Sequence, residues 1–122
     1  MKKAIFTKIG NIKSLENNKR LIKLLCRVKD IIDLSEEQIT IIKLEDDTGV
    51  IEARIFGDDE ERKYQLNNVN IGDTVLVIGE IRKWVSDIYV KSKALKKLTA
   101  AWEMYYSIRL KRFKNMLKSS ND

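Results

Sequence analysis

The chain has 122 residues, of which 43% are hydrophobic and 34% charged, and it carries a formal net charge of +6 with one cysteine and no histidine. This length fits a single domain with one core, and no apolar run reaches the roughly 18 residues that a membrane-spanning helix needs. The lack of histidine excludes Ser-His and Cys-His catalysis as well as histidine-bearing zinc sites.

The single cysteine, Cys26, cannot form a disulfide within the chain, which suits a reducing compartment. The first residues, MKKAIFTKIG, contain neither a sustained apolar segment nor a small-residue cleavage site, so no secretory signal is evident. We therefore expect a cytoplasmic protein, associated with the nucleoid if its source is prokaryotic, with no membrane partner.

Charge is distributed unevenly along the chain. Residues 30–61 hold 12 acids and 2 bases, whereas the remainder holds 22 bases and 6 acids. The net charge therefore understates how basic part of the surface is. A basic surface of this kind is expected of a protein that binds a polyanion, and a solvated surface rich in ion pairs is the alternative interpretation.

The first of five predicted strands, at 20–32, follows a lead-in segment at 5–12 and a polar turn at 14–18. Its apolar residues at positions 22, 24, 26 and 28 share one face, and basic residues occupy the other. Leu21 and Leu25 blur this alternation, so a helix is the competing prediction. The β-branched residues Val28, Ile31 and Ile32 favour a strand. An acidic loop at 33–38 separates it from the next strands, at 39–44 and 50–56.

The turn between those two strands contains three adjacent carboxylates, in Glu45-Asp46-Asp47-Thr48-Gly49. They are candidate Mg²⁺ ligands, but metal catalysis needs several converging acids, and the other acidic run, at 58–61, is typical of a helix start. We interpret the turn as a hairpin corner in which Gly49 supplies a positive φ, and we expect neither a metal nor a cofactor.

Two further strands are predicted at 74–84, with a bend at Gly79, and at 88–95, and one long helix at 99–117. Thr99 is a suitable N-cap for that helix, and cations crowd its last turns. Its apolar stripe comprises Trp102, Tyr106, Leu110, Phe113 and Leu117. The stripe can dock on the chain's own barrel or pair with other subunits, and its large aromatic residues favour pairing.

This order of elements predicts a mainly β fold. Five strands, with a short helix between the third and fourth, form the pattern of an OB barrel, here followed by a C-terminal α-helix. We predict an OB-fold nucleic-acid-binding domain at 1–98, an oligomerisation helix at 99–118 and a tail at 119–122.

Two segments carry a resemblance to a known family. LEDDTGVIEARIF at 44–56 resembles the second strand, turn and third strand of nucleic-acid-binding OB domains, and IGDTVLVIGEIR at 71–82 resembles their fourth strand. With the helix that follows, residues 5–117 resemble the middle subunit of replication protein A and its archaeal and telomere-capping relatives. The anticodon-binding domains of class II aminoacyl-tRNA synthetases have a similar turn.

The resemblance implies a binding site for single-stranded nucleic acid. Phe56 ends the third strand and Trp84 begins the loop after the fourth, where the family places two stacking aromatics; Tyr89 is a weaker candidate. Single-strand binding also needs cations along the phosphates, and the candidates are Lys43, Arg54, Arg82, Lys83, Lys91 and Lys93. The alternative interpretation is that Phe56 closes the barrel and Trp84 covers an apolar edge.

The resemblance also implies partners, namely single-stranded DNA and other OB-fold subunits bound through the C-terminal helix. We therefore expect a non-catalytic subunit of a single-stranded-DNA-binding complex in replication, repair or end protection. Two alternatives stay open: an accessory subunit that binds proteins through its helix with little DNA contact, and an RNA- or tRNA-binding protein.

Overall fold

The computed structural model describes residues 3–15 and 19–120, and the side chains of Trp84 and of residues 112–120 lie outside the description. The elements in chain order are β1 (Ile5–Thr7), a 3₁₀ helix (Ile9–Ser14), β2 (Leu21–Leu34), a 3₁₀ turn (Ser35–Glu37), β3 (Ile39–Asp46), β4 (Gly49–Phe56), α1 (Asp59–Gln65), β5 (Thr74–Trp84), β6 (Asp87–Lys97) and α2 (Ala100–Ser120). The five predicted strands, the short helix and the C-terminal helix are thus confirmed.

Strands β2 to β6 form a closed five-stranded mixed barrel, which confirms the predicted OB fold. The 14-residue β2 closes it, because its first half pairs with β5 and its second half with β3. The parallel pairing of β4 with β6 completes the wall. The structure adds β1, which runs parallel beside β2. Because β2 runs on to Leu34, the predicted acidic loop is reduced to the 3₁₀ turn and Gln38, and the competing helix at 20–32 is wrong.

The barrel core follows the period-2 alternation of the strands. Ile22, Leu24 and Val28 of β2 are buried, as are Ala53 and Ile55 of β4. Cys26 belongs to the same core, and burial, with a smaller contribution from Asp46, raises the pKa of its thiol to about 12. Because only a thiolate attacks, the buried Cys26 is a small core residue and not a nucleophile.

Gly79 marks the predicted bend in β5. The pairing between β5 and β6 shifts register between Ile78 and Gly79, and a Cβ atom at Gly79 would come within 2.5 Å of the Lys91 carbonyl oxygen. Only glycine allows the two backbones to approach this closely, so the local bulge depends on it.

The acidic turn between β3 and β4 is hydrogen-bonded to the first 3₁₀ helix. One carboxylate oxygen of Asp46 accepts hydrogen bonds from the backbone N–H and the hydroxyl of Thr48, and the other accepts from the N–H of Ile9, at 2.8 Å. The N–H of Gly10 donates to Thr48 Oγ1 at 2.7 Å, and Lys8 pairs with Asp47. These bonds hold the first 3₁₀ helix where its Ile9 is buried.

One detail of that turn differs from the prediction. Gly49 does not have a positive φ, in contrast to Gly57 and Gly72, so the prediction that Gly49 supplies a positive φ was wrong. The side chain of Asp46, hydrogen-bonded to Thr48 within the turn, supplies the local geometry instead.

A buried guanidinium joins α1 to the barrel. Arg62 is 3% exposed; its Nε donates to Thr40 Oγ1 at 3.1 Å and its Nη1 to the Gly57 carbonyl oxygen at 2.7 Å. Its Nη2 lies 2.6 Å from Asp59 and 3.3 Å from Asp33. Arg62 therefore ties together α1, the start of β3, the end of β2 and the corner after β4.

Replacing Arg62 with methionine removes these bonds while keeping most of the side-chain volume. We expect a loss of about 3 kcal/mol in the free energy of unfolding, because breaking a buried charged network leaves its partners uncompensated. Urea denaturation measures the loss. Lys63→Met, at the exposed neighbouring position, is the matched control and should change stability little. Equal stability of the two variants would contradict the anchoring role.

Candidate nucleic-acid interface

The outer face of β3, β4, β5 and β6 collects most of the predicted binding residues. Strand register places Arg54 beside Lys91 of β6, and Tyr89 opposite Arg82 of β5. Lys43 lies opposite Glu52, two pairs along β3 and β4 from Arg54. Positions separated by more than 30 residues in sequence thus become neighbours on one surface.

Two aromatic rings lie side by side on this face. The Phe56 side chain is 38% exposed and points outward, away from the barrel core. Its ring centroid is 6.4 Å from that of Tyr89. The Arg54 guanidinium lies 4.0 Å from the Tyr89 ring centroid, and the Lys91 Nζ lies 5.8 Å from that of Phe56. Aromatic faces and cations therefore alternate across β4 and β6, the arrangement that single-stranded nucleic acids require.

Trp84 lies at the end of β5, where its backbone pairs with Asp87 across a tight turn. Its side chain is outside the described part of the structure, so its predicted stacking role stays a prediction. The next residue, Val85, is 94% exposed and has a φ of 56°, a conformation that β-branched residues rarely adopt. The hairpin tip next to Trp84 therefore presents an apolar side chain to solvent at a cost in backbone energy.

Acidic side chains neutralise several of the predicted cations. Arg54 Nη2 donates to Glu52 at 3.2 Å and to Asp87 at 3.1 Å. Burial opposes the charge on Arg54, but these two carboxylates outweigh it and raise its pKa. Arg82 donates to Glu80 at 2.9 Å.

The remaining cations differ in whether an acid lies close to them. Lys93 Nζ lies 3.6 Å from Glu80. Within the described part of the chain, no acid lies within ion-pair distance of Lys43 or Lys91. Lys83 also belongs to this edge and has an interaction of its own. The face is therefore less basic than the list of its cations suggests.

The sequence analysis missed the acids that pair with these cations. Their signal was present, because Glu52 and Arg54 are two residues apart on one strand, as are Glu80 and Arg82. Residues i and i+2 of a strand share a face, so each pair was placed to meet. Asp87 could be assigned only from the pairing of β4 with β6.

The predicted interface stripe of α2 is divided by the fold. Leu110 is 7% exposed, and the Tyr106 ring lies 6.0 Å from that of Phe6 in β1, so both face the chain's own barrel. Trp102 stays 49% exposed. The side chains of Phe113 and Leu117 lie outside the described residues.

The exposed part of α2 has a different composition from the predicted stripe. Trp102 is joined there by Met104, Tyr105 and Ile108, which are between 46% and 66% exposed. The Trp102 ring contacts Tyr105 edge-on at 5.7 Å. The helix thus has one face against the barrel and a second apolar face in solvent.

Two other classes of site are a metal centre and a membrane-spanning helix. Among the residues that the structure describes, no three acidic or cysteine side chains are grouped to hold a metal ion. The described helices include none that is long and apolar enough to cross a membrane.

Several solved structures share this architecture. The S. pombe Stn1–Ten1 complex matches with a TM-score of 0.66 and 20% identity, over 83% of this chain and 76% of that one. A replication protein A heterotrimer bound to single-stranded DNA matches with a TM-score of 0.59 and 17% identity, over 72% and 66%. Entamoeba histolytica asparaginyl-tRNA synthetase matches with a TM-score of 0.64 and 9% identity, over 80% of this chain but only 24% of the synthetase. At these identities, the matches show a common fold.

A comparison of sequences finds no significant match among curated proteins. The tRNA anti-codon family model, described as an OB-fold nucleic acid binding domain, matches residues 27–98, which include β3 to β6 and every predicted nucleic-acid contact. The chain belongs to this family of OB-fold nucleic acid binding domains.

Proposed function

We propose that the chain is a non-catalytic subunit that binds single-stranded DNA on the outer face of β4 and β6 and assembles with another protein through α2. The observation that carries this proposal is the side-by-side arrangement of Phe56 and Tyr89, with Lys91 and Arg54 next to their rings. Similarity in fold to the replication protein A heterotrimer bound to single-stranded DNA supports DNA as the ligand.

Stacking supplies most of the binding energy on this face. Each base stacked on an aromatic ring contributes about 1–3 kcal/mol, whatever its sequence. Phe56 and Tyr89 provide two adjacent rings, and Trp84 is at the hairpin end that borders the same surface. Two or three stacked bases give a measurable affinity for a single strand.

The ion pairs on the face limit the electrostatic contribution. Arg54, Arg82 and Lys93 are engaged with acids, whereas Lys43 and Lys91 have no such partner in the described part of the chain. Each phosphate neutralised in a single strand contributes about −0.7 to the slope of log K against log salt. Two contacts give a slope of about −1.5, and six would give about −4.

The exposed face of α2 is the proposed interface with a second subunit. Trp102, Met104, Tyr105 and Ile108 form an apolar patch on the side of the helix opposite the barrel. Such patches mark sites of protein association, and the Stn1–Ten1 complex, similar in fold, contains two proteins. Of the predicted stripe, this interface keeps Trp102. It does not include Tyr106 and Leu110, which contact the barrel.

A second function is favoured by a specific observation, the neutralised cations of the binding face. An accessory subunit that contacts proteins through α2 and touches DNA weakly would show the same ion pairs. An RNA- or tRNA-binding role is the third, and the family label and the similarity in fold to a tRNA synthetase support it.

Binding of a fluorescent dT oligonucleotide tests the main proposal. We expect measurable affinity at low salt, and a loss of about tenfold in Phe56→Ala because one stacked base is lost. Trp84→Ala should show a loss of similar size. Ile71→Ala, which also removes an exposed apolar side chain but lies outside the barrel strands, is the matched control and should bind like the wild type.

Fluorescence anisotropy over a series of salt concentrations gives both the affinity and the slope. A slope near −1.5, with the loss confined to the two aromatic variants, supports binding on this face. Absence of binding at low salt would leave the accessory-subunit function. A strong preference for RNA of the same sequence would favour the third function.

The assembly through α2 is tested by Ile108→Glu, which places a charge in the exposed apolar patch. If copies of this chain associate through α2, light scattering should give a higher mass for the wild type than for the variant, because a charge is costly to bury in an interface. Val50→Glu, at a comparably exposed position on β4, controls for the added charge. If all three are monomers, titration with a candidate partner subunit follows; equal partner affinity of wild type and Ile108→Glu would contradict the interface.

A further inference from the structure

A cleft of about 580 Å³ lies between α1 and β6, at the edge of the proposed binding face. Its lining includes Phe56, Glu60, Tyr64, Gln65, Lys93 and Leu95. The volume lies within the range of small-molecule pockets. Phe56 belongs both to this cleft and to the aromatic pair with Tyr89, so the cleft continues the binding face.

The walls of the cleft are apolar and include two aromatic side chains. Leu95 is partly buried against the barrel core. Tyr64 is 86% exposed, on a short helix that Arg62 anchors two residues earlier. The helix and the strand therefore place Tyr64 and Phe56 on the same cleft, where a flat aromatic ligand would contact both.

Among the polar groups that line the cleft, Gln65 offers a donor and Glu60 an acceptor. The hydroxyl of Ser92, which is 5% exposed, donates to Gln65 Oε1 at 2.8 Å, so the amide Nε2 of Gln65 is the group left to donate. Glu61 is occupied in the capping box of α1 with Asp58. The carboxylate of Glu60 has no such partner among the described residues and can accept a hydrogen bond.

The charge of the cleft selects a base over a phosphate. Glu60 and Glu61 of α1 line the cleft, and their carboxylates repel the sugar-phosphate backbone. A carboxylate instead favours an exocyclic amino group, as in the contacts of Glu and Asp with cytosine N4. On their Watson–Crick edges, cytosine and adenine present such an amino group beside a ring-nitrogen acceptor, the complement of a carboxylate acceptor and an amide donor, whereas the amino group of guanine lies beside a ring N–H donor. Thymine lacks the amino group.

We propose that this cleft is a base-recognition pocket that takes one unstacked cytosine or adenine from a strand bound on the adjacent face. The proposal rests on the proposed function, because the strand must first bind to β4 and β6. Lys91, whose Nζ lies 5.8 Å from the Phe56 ring centroid, carries a phosphate beside the cleft, whereas Lys93 is engaged with Glu80.

Anisotropy measurements with dT, dC and dA oligonucleotides of equal length test this pocket. The wild type should bind dC or dA about five- to tenfold more tightly than dT, the discrimination of one good contact to a base edge. Glu60→Ala should abolish this preference. Tyr64→Ala should weaken dC and dA more than dT. Glu103→Ala, which removes an acid on α2, is the matched control and should keep the preference.

The outcomes separate this proposal from the one on which it rests. Equal affinity for the three oligonucleotides, unchanged by Glu60→Ala, overturns the pocket and leaves binding on the face intact. A preference that survives Glu60→Ala also overturns it. Absence of binding to every oligonucleotide overturns both proposals. A preference for dC over dA would identify cytosine as the base that the pocket takes.

Discussion

The guanidinium of Arg62 is the point at which β3, the corner after β4 and α1 are joined. It is 3% exposed and contacts Thr40, Asp59, Asp33 and the carbonyl oxygen of Gly57. A buried charge persists only when such partners compensate for its desolvation. Because Gly57 directly follows Phe56, the same contacts determine where the strand ends and where its aromatic ring is presented. They also hold α1, and therefore Tyr64, beside β6.

The electrostatics of the surface are a compromise between binding and folding. Cations on the outer face of β4 and β5 are paired with acids two residues away or, for Arg54, with Asp87 of the neighbouring strand β6. Partly exposed pairs of this kind stabilise a protein little, but they lower the charge that a polyanion meets. We therefore assign most of the affinity to the aromatic rings, and we expect the affinity to depend only weakly on salt concentration. The acidic residues of α1 extend this pattern, because they discourage phosphates at the place where a base edge is proposed to bind.

The sequence predicted the barrel well because its strands alternate cleanly. The buried residues Ala53 and Ile55, and the outward Phe56, follow from period 2 alone. The turn signals were less informative: the acidic corner at 45–49 was assigned to a hairpin, but its bonds to the first 3₁₀ helix join residues nearly 40 positions apart. The extra strand β1 has three residues and no alternation long enough to detect.

The sequence predicted which residues form the candidate site, but it did not predict which of the cations are neutralised by acids. Phe56, Tyr89 and the cations were found from their positions along strands, yet the contact of Arg54 with Asp87 depends on the pairing of β4 with β6. The helix stripe was read as one surface, whereas packing on β1 and β2 uses Leu110 and leaves Trp102 exposed. Periodicity shows which helix residues share a face, but it does not show which face the barrel covers.

The most direct test of the account removes one acid from the binding face. In Asp87→Asn, Arg54 loses one of its two carboxylate partners and becomes available to a phosphate. The affinity for dT oligonucleotides at low salt should rise several-fold, and the slope of log K against log salt should become steeper by about 0.7, the contribution of one added contact. Unchanged affinity and slope in Asp87→Asn would contradict the claim that single strands bind on the outer face of β4 and β6.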